Sequence, residues 1–454
     1  MPDQFVPLPS DPNELNPDAE SNGFTGRYLV AFEPGTAESG VAELQDRVGI
    51  AAFSARAGAP SSSNVMLEEI GVAIVDAPPD QHNELKLAAS DVNSPIRLVE
   101  PERYVWAAMV PNSASASASG NLPLLPTESI LAHGPCLNAD FLRGYSAAAN
   151  GLLAALAPEA QPISSATESQ FALSSSATWG LLTTLVPQSS FSGQGIRVAV
   201  LDTGFDLQHP DFTGRLITAQ SFVAGEPVQD VHGHGTHCIG TACGPLRPPI
   251  GPRYGVAYNA QIYVGKVLNS AGRGTDGQML AGLNWAVQNQ CAVVSMSISA
   301  PVQLGQSFNQ VFQAAASAAA DRGTLTIVAA GNDSARPGII KPVGHPANCP
   351  SIIAVGALDV NLIVAPFSNG GLNSPGGEVN VAGPGVGVYS TWLLPQRYNT
   401  ISGTSMATPH VAGIAALYAE ATGLRGMPLA NALLRRARRL SLVRDFGWGL
   451  VQAP

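Results

Sequence analysis

Hydrophobic and polar positions change their rhythm twice along the chain. From Trp179 onward, the runs IRVAVLD (196–202), QIYVGKVL (261–268), AVVSMSIS (292–299), LTIVAAGN (325–332) and SIIAVGAL (351–358) are short, β-branched and almost continuously apolar. Strands covered on both faces read this way, because neither side of the sheet meets water. Between them, DGQMLAGLNWAVQNQ (276–290) and SFNQVFQAAASAAADRG (307–323) carry helical spacing. Strands alternating with helices predict an α/β fold, a parallel sheet with helices on both faces, over 177–454. Residues 24–107 read differently. RYLVAFEPG (27–35) is a strand running into a turn, and ESGVAELQDRVG (38–49) is a helix stopped by Gly49. VMLEEIGVAIVDAP (65–78) holds two short strands, PDQHNELKLAA (79–89) a second helix and IRLVEPERYVW (96–106) a last strand. That is a small α+β domain preceding the larger one.

Two stretches carry no such rhythm. Residues 1–23 are acidic and proline-rich and read as a disordered arm. Residues 108–176 open on the low-complexity NSASASASGN and read as a linker or insertion, with one helix expected in 137–160 behind Asn138 as its cap.

Composition narrows the function. The chain has 454 residues, enough for one large and one small domain. Only 12% of its residues are charged, about half the usual share, and the formal net charge is −10. With no basic run, nucleic acid is not an expected partner. No apolar run approaches the roughly 20 residues that span a bilayer. The N-terminus lacks the basic and apolar regions of a secretory signal, so the protein stays inside, leaves by another route, or has a signal not included in this sequence. The five cysteines, Cys136, Cys238, Cys243, Cys291 and Cys349, follow no regular spacing and read as buried thiols rather than bridges.

Candidate chemistry sits at the ends of the predicted strands, where open parallel sheets bind their ligands. Asp202 ends VAVLDTG and Asn332 ends IVAAGND. Alone, each is a turn residue or a helix cap. DVHGHGTHCIG (230–240) presents His232, His234 and His237 among glycines before an apolar helix, a spacing open to a metal site or to one histidine offered from a helix start. ISGTSMATPH (401–410) places Ser405 ahead of the helical run MATPHVAGIAALYAE, with Pro409 expected in the first turn, where its missing N–H costs little. A helix cap is the plain alternative for Ser405.

Taken together, the chain order Asp202, His234, Ser405 is the order of the subtilisin triad. VAVLDTGFDLQHPDF, GHGTHCIGT, VAAGN and GTSMATPHVAG resemble, in order and interval, the motifs of the subtilisin-like serine proteases over 179–454. The resemblance implies a serine endopeptidase. Ser405 attacks the scissile carbonyl, His234 carries the proton, and Asp202 holds the imidazole tautomer. The Asn332 side-chain amide and the Ser405 backbone N–H bind the oxyanion. His237 and His410 would then be structural, and the metal reading of the histidines loses its motive. Cys238, with STW at 390–392, resembles the proteinase K branch, where a free thiol lies beneath the histidine and mercurials disturb it.

The family binds peptides as an added strand between two segments. Here these are expected at Gly272 and Gly274, and at Ser297, Ile298 and Ser299. Gly344 would floor the S1 pocket, with Ala330 and Gly331 along one side. Ser299 and Ala300 stand where relatives carry a glycine pair, a change expected to narrow the S1 entrance or to tilt that wall. No charge is evident at the floor, so an apolar or aromatic P1 residue is expected. No cofactor is implied for the chemistry. Structural calcium is common in the family, but Asn380 replaces an aspartate at one site, with the Pro350 and Ile352 carbonyls beside it, and no metal residue is assigned. The 24–107 domain resembles the inhibitor-type propeptide of this family, which implies a zymogen inhibited by its own propeptide and a self-cleavage near Trp106–Met109, within 110–178, or both. The expected partners are protein or peptide substrates, and the enzyme is expected to be a monomer. Other readings are a narrow maturation protease, an inactive fold serving as a binding module, and a metal-dependent hydrolase built on the histidines.

Overall fold

The computed structural model describes residues 23–50, 53–54, 64–108 and 176–454. Residues 1–22 of the expected arm and 109–175 of the expected insertion, with its single helix, lie outside the described residues. The larger sheet has seven strands in the order 381–384, 353–358, 325–329, 293–296, 197–202, 261–266 and 217–221, every neighbouring pair parallel. Successive side chains sort onto opposite faces, as a period of two requires. Val198, Val200, Val293, Ile327 and Val355 face the helices His234–Cys243 and Thr404–Thr422. Ala199, Leu201, Val294, Met296 and Val328 face the helices Asp276–Gln288 and Gln310–Asp321. Both faces are dry, which is why these strands lack polar alternation. Each buried aliphatic side chain contributes about 1.5–3 kcal/mol.

The five apolar runs all become strands of this sheet. Two further strands, Ile217–Ser221 and Val381–Pro384, escape a pattern search. The first, ITAQS, is half-exposed at one edge, and the second, VAGP, is short and interrupted by glycine.

Helix Thr404–Thr422 corrects one expectation. Its first residue is Thr404, so Pro409 is its sixth residue and not part of the first turn. The proline cannot donate to the carbonyl four residues back, that of Ser405. Two side chains take the place of the missing donor. Ser297 Oγ donates to the Ser405 carbonyl at 2.8 Å and the Cys238 thiol lies 3.6 Å from it. Behind the helix, Gly413 lets the backbone approach Ala242 and Val256, since a Cβ there would fall 2.6 Å from the Val256 Cβ.

In the N-terminal region, strands Phe24–Phe32, Val72–Asp76 and Asn64–Leu67 pair antiparallel, and Ile96–Ala107 flanks the first of them. Val30, Phe32, Ala73 and Val75 pack against the helices Ala37–Asp46 and Pro79–Ser90 through Leu44, Leu85 and Ala88. The alternate residues Leu29, Ala31, Val72 and Ile74 share a core with Met279, Leu280 and Leu283, and with Val311, Phe312 and Ala315. The sheet therefore rests its second face on two helices of the larger α/β unit. Strand Ile96–Ala107 continues beyond this sheet and pairs antiparallel with Arg273–Thr275 on one side and Ile298–Ser299 on the other.

Candidate active site

Asp202 closes strand Arg197–Asp202, and its carboxylate emerges from the sheet with Oδ1 accepting the Thr203 N–H at 2.7 Å. His234 opens helix His234–Cys243, and its Nδ1–H donates to the same Oδ1 at 2.7 Å. Both side chains are buried. With Nδ1 committed as donor, Nε2 is the basic nitrogen, and it has no hydrogen-bond partner. Cys238, one turn further along, lies below the pair, and one ligand atom from each of Asp202, His234 and Cys238 falls within 4.8 Å of the others. Burial, reinforced by the negative Asp202, pushes its thiol well above the ordinary range. It is therefore an inert thiol rather than a nucleophile.

Ser405 is the second residue of its helix, fully buried. Its hydroxyl donates to the carbonyl oxygen of Ala108, and Ser297 O lies 3.2 Å from it. The structure thus gathers Asp202 and His234 into a hydrogen-bonded pair but turns the Ser405 hydroxyl toward Ala108. Asn332 Nδ2 donates to the same Ala108 oxygen at 2.5 Å. Both residues expected to supply oxyanion donors reach this oxygen, Asn332 through its side-chain amide and Ser405 through its hydroxyl instead of its N–H. The Asn332 amide is held in this orientation because its Oδ1 accepts both the N–H and the hydroxyl of Thr404, each at 2.9 Å.

The segments expected to flank a bound peptide flank the chain's own strand Ile96–Ala107. The Ala107 N–H donates to Gly272 O at 2.9 Å, Val105 pairs with Gly274, and the Ala108 N–H donates to Ser297 O at 3.1 Å. Ile298 pairs with Ala107 and Ser299 with Trp106. Gly331 adjoins Asn332, and the Gly344 N–H donates to Ala330 O at 2.9 Å, joining the expected floor to the expected side.

The remaining histidines do not converge. The His237 Nε2–H donates to Val388 O at 3.0 Å and His410 Nδ1–H to Met406 O at 2.8 Å. Burial lowers the first to about 3 and the second to about 4, so both stay neutral. His232 stands edge-on to His234 with ring centroids 6.2 Å apart, and burial, with His234 beside it, depresses its basicity. The Asn380 side chain does not fit a calcium ligand. Its Oδ1 accepts the Ala354 N–H at 2.7 Å, and an amide brings no charge to a hard cation. The four described cysteines, Cys238, Cys243, Cys291 and Cys349, are buried free thiols.

Sequence reading missed Asp230. This buried carboxylate accepts the N–H groups of His232, Gly233 and Thr236 and the hydroxyls of Thr203 and Thr236, at 2.7–3.0 Å. It fixes the loop that delivers His234. An aspartate four residues ahead of a helix start is a weak cap signal in isolation.

Comparison with known proteins agrees with this geometry. The model of the subtilase family matches residues 193–449. The chain belongs to the subtilase family. This subtilase is 38% identical over 268 residues to subtilisin DY of Bacillus licheniformis, covering 59% of the chain and 92% of that protein. It is also 38% identical over 283 residues to subtilisin BL of Lederbergia lenta, covering 61% and 97%. A third relative is subtilisin-like protease 2 of Pseudogymnoascus destructans, 38% identical over 263 residues, or 55% of the chain and 60% of that protein. The protein is a subtilisin-like serine endopeptidase, a hydrolase of peptide bonds that needs no cofactor for its chemistry. Among the described residues, no helix of the subtilase is long and apolar enough to cross a membrane.

Proposed function

We propose that this subtilase is made as a self-processing zymogen whose N-terminal α+β region is its propeptide and first substrate. The observation that carries the reading is the Ala108 carbonyl oxygen, which accepts from Asn332 Nδ2 and from the Ser405 hydroxyl at the end of a strand clamped between Gly272–Gly274 and Ser297–Ser299. This is the pose of a substrate with Ala108 at P1, and the bond to be cut is Ala108–Met109.

The chemistry follows from the placements. Rotation of the Ser405 side chain turns its proton from Ala108 O to the free Nε2 of His234. Oγ then bonds to the Ala108 carbonyl carbon as Nε2 takes the proton. Asp202 Oδ1 holds Nδ1–H, so the imidazolium forms beside a carboxylate in a buried site. Asn332 Nδ2 stays on the oxygen as it gains charge, and the start of helix Thr404–Thr422 adds the positive end of its dipole. His234 returns the proton to the Met109 nitrogen, and the C–N bond breaks. Water then releases Ala108 as a carboxylate by the same steps in reverse order. Until it dissociates, strand Ile96–Ala107 blocks the cleft as a product inhibitor. After release, the same cleft takes protein or peptide substrates as an added strand.

The reading is tested with a chromogenic peptide and an organophosphonate. Hydrolysis by the wild type that is abolished both by one equivalent of reagent and by Ser405→Ala supports it. Hydrolysis that survives Ser405→Ala contradicts it.

A further inference from the structure

Next to Ala108, whose N–H donates to Ser297 O and whose carbonyl accepts from Asn332 Nδ2, three segments are stitched together around the expected S1 pocket. Residues 297–300 form one wall and 330–332 the other. Residue 344 closes the bottom through its bond to Ala330 O, while Ala300 and His345 exchange both backbone hydrogen bonds, at 2.8 and 2.9 Å. Into this space projects the Ser299 hydroxyl. A Cβ on Gly344 would fall 2.2 Å from Ser299 Oγ, and one on Gly331 would fall 3.0 Å from it. The hydroxyl therefore lies against both glycines, between the side and the floor. It is buried and has no hydrogen-bond partner. A buried polar atom left unpaired calls for an explanation, and this one lies between the side and the floor expected for the S1 pocket.

We propose that Ser299 shortens the S1 pocket and restricts this protease to substrates with a small residue at P1: alanine, serine or glycine. The inference rests on the reading of Ala108 as P1, and it replaces the apolar or aromatic preference expected from an uncharged floor. A glycine at 299 would leave the gap between Gly331 and Gly344 open to a long or aromatic side chain. With serine there, such a side chain meets Oγ before it reaches Gly344. The chain's own P1 residue, Ala108, has the one methyl that such a pocket admits. The unpaired Oγ gains a partner when P1 is serine.

The test is a set of internally quenched peptides of the form Val-Trp-Ala-Xaa-Met, with Xaa as Ala, Ser, Val, Leu or Phe, given to the processed enzyme. Wild type, Ser299→Gly and Ser299→Val are compared by kcat/KM, and each preparation is titrated with a fluorophosphonate. One group of methylene size in a pocket changes discrimination about 10–200-fold. Wild type is expected to favour Ala over Phe by about tenfold or more. Ser299→Gly is expected to raise the Phe-to-Ala ratio by at least about tenfold, and Ser299→Val to depress Val and Ser relative to Ala. Phe or Leu cleaved as well as Ala by the wild type overturns the inference, whatever the variants do. So does a ratio that Ser299→Gly leaves within about twofold. In those cases Ser405 is still labelled and turnover is present, and the protease reading stands. Absence of both labelling and turnover overturns the protease reading and this inference with it.

Discussion

Replacing Asp230 by alanine is expected to loosen the loop that carries His234. The carboxylate accepts five hydrogen bonds: Oδ1 from the His232 and Gly233 N–H groups and the Thr203 hydroxyl, Oδ2 from the N–H and hydroxyl of Thr236. Hydroxyls can turn to other acceptors, and the half-buried His232 N–H can reach water. The Gly233 and Thr236 N–H groups are buried and cannot. Two stranded buried donors, at about 1–3 kcal/mol each, set the expected loss at about 2–6 kcal/mol. Asp230→Asn keeps the three bonds at Oδ1 when its amide nitrogen takes the Oδ2 position. There it opposes two donors, for an expected loss of about 1–3 kcal/mol. Urea unfolding in a Ser405→Ala background, where no self-digestion intervenes, reads both values. In the active background, kcat/KM should fall in the same order, since the loop sets the direction of Nε2. A loss below about 1 kcal/mol for Asp230→Ala, or an asparagine variant as damaged as the alanine one, would refute the reasoning.

Three further outcomes are expected. Asn332→Ala should lower kcat about 10²–10³-fold with little change in KM, the size of effect known for the corresponding donor of subtilisin itself; Thr404→Val, which removes the hydroxyl anchor of the amide and leaves the backbone N–H anchor in place, should lower it less. His237 and His410, depressed by burial to about 3 and about 4, contribute stability that is fully present above their ordinary value of 6.5 and is lost as pH falls toward the folded values. The slope is about 1.4 kcal/mol per pH unit for each across that window, and a folded-state midpoint near 6.5 for either imidazole by NMR would contradict it. Cys238, buried and held as a thiol, should resist iodoacetamide in the native enzyme and react once unfolded, by mass spectrometry; rapid native alkylation would count against its placement under His234.

Much of this is legible in the sequence alone. The five continuously apolar runs became five strands of the parallel sheet because burial on both faces leaves a one-dimensional mark. The edge strand Ile217–Ser221 left no such mark, since one side of it meets water, and VAGP is too short to carry one. Pro409 misled because a proline in a helix reads as a first-turn residue. Its tolerance here depends on Ser297 and Cys238, more than 100 residues away in sequence, supplying donors to the Ser405 carbonyl. Asp230 and Thr404 share that character. Neither faces a substrate, and their importance lies in what they hold, His234 in one case and Asn332 in the other. The Ser299 hydroxyl was visible as a departure from a glycine pair, but its consequence depends on where Gly331 and Gly344 sit in space.

The most direct measurement is the intact mass of freshly purified wild type and Ser405→Ala, each before and after a fluorophosphonate probe. Self-processing at the seated bond predicts a wild-type fragment ending at Ala108, a single probe adduct on the remainder, and a Ser405→Ala chain that stays whole and unlabelled. A wild-type chain that turns over peptides yet keeps the Ala108–Met109 bond intact, or a Ser405→Ala chain cut at the same place, would contradict it.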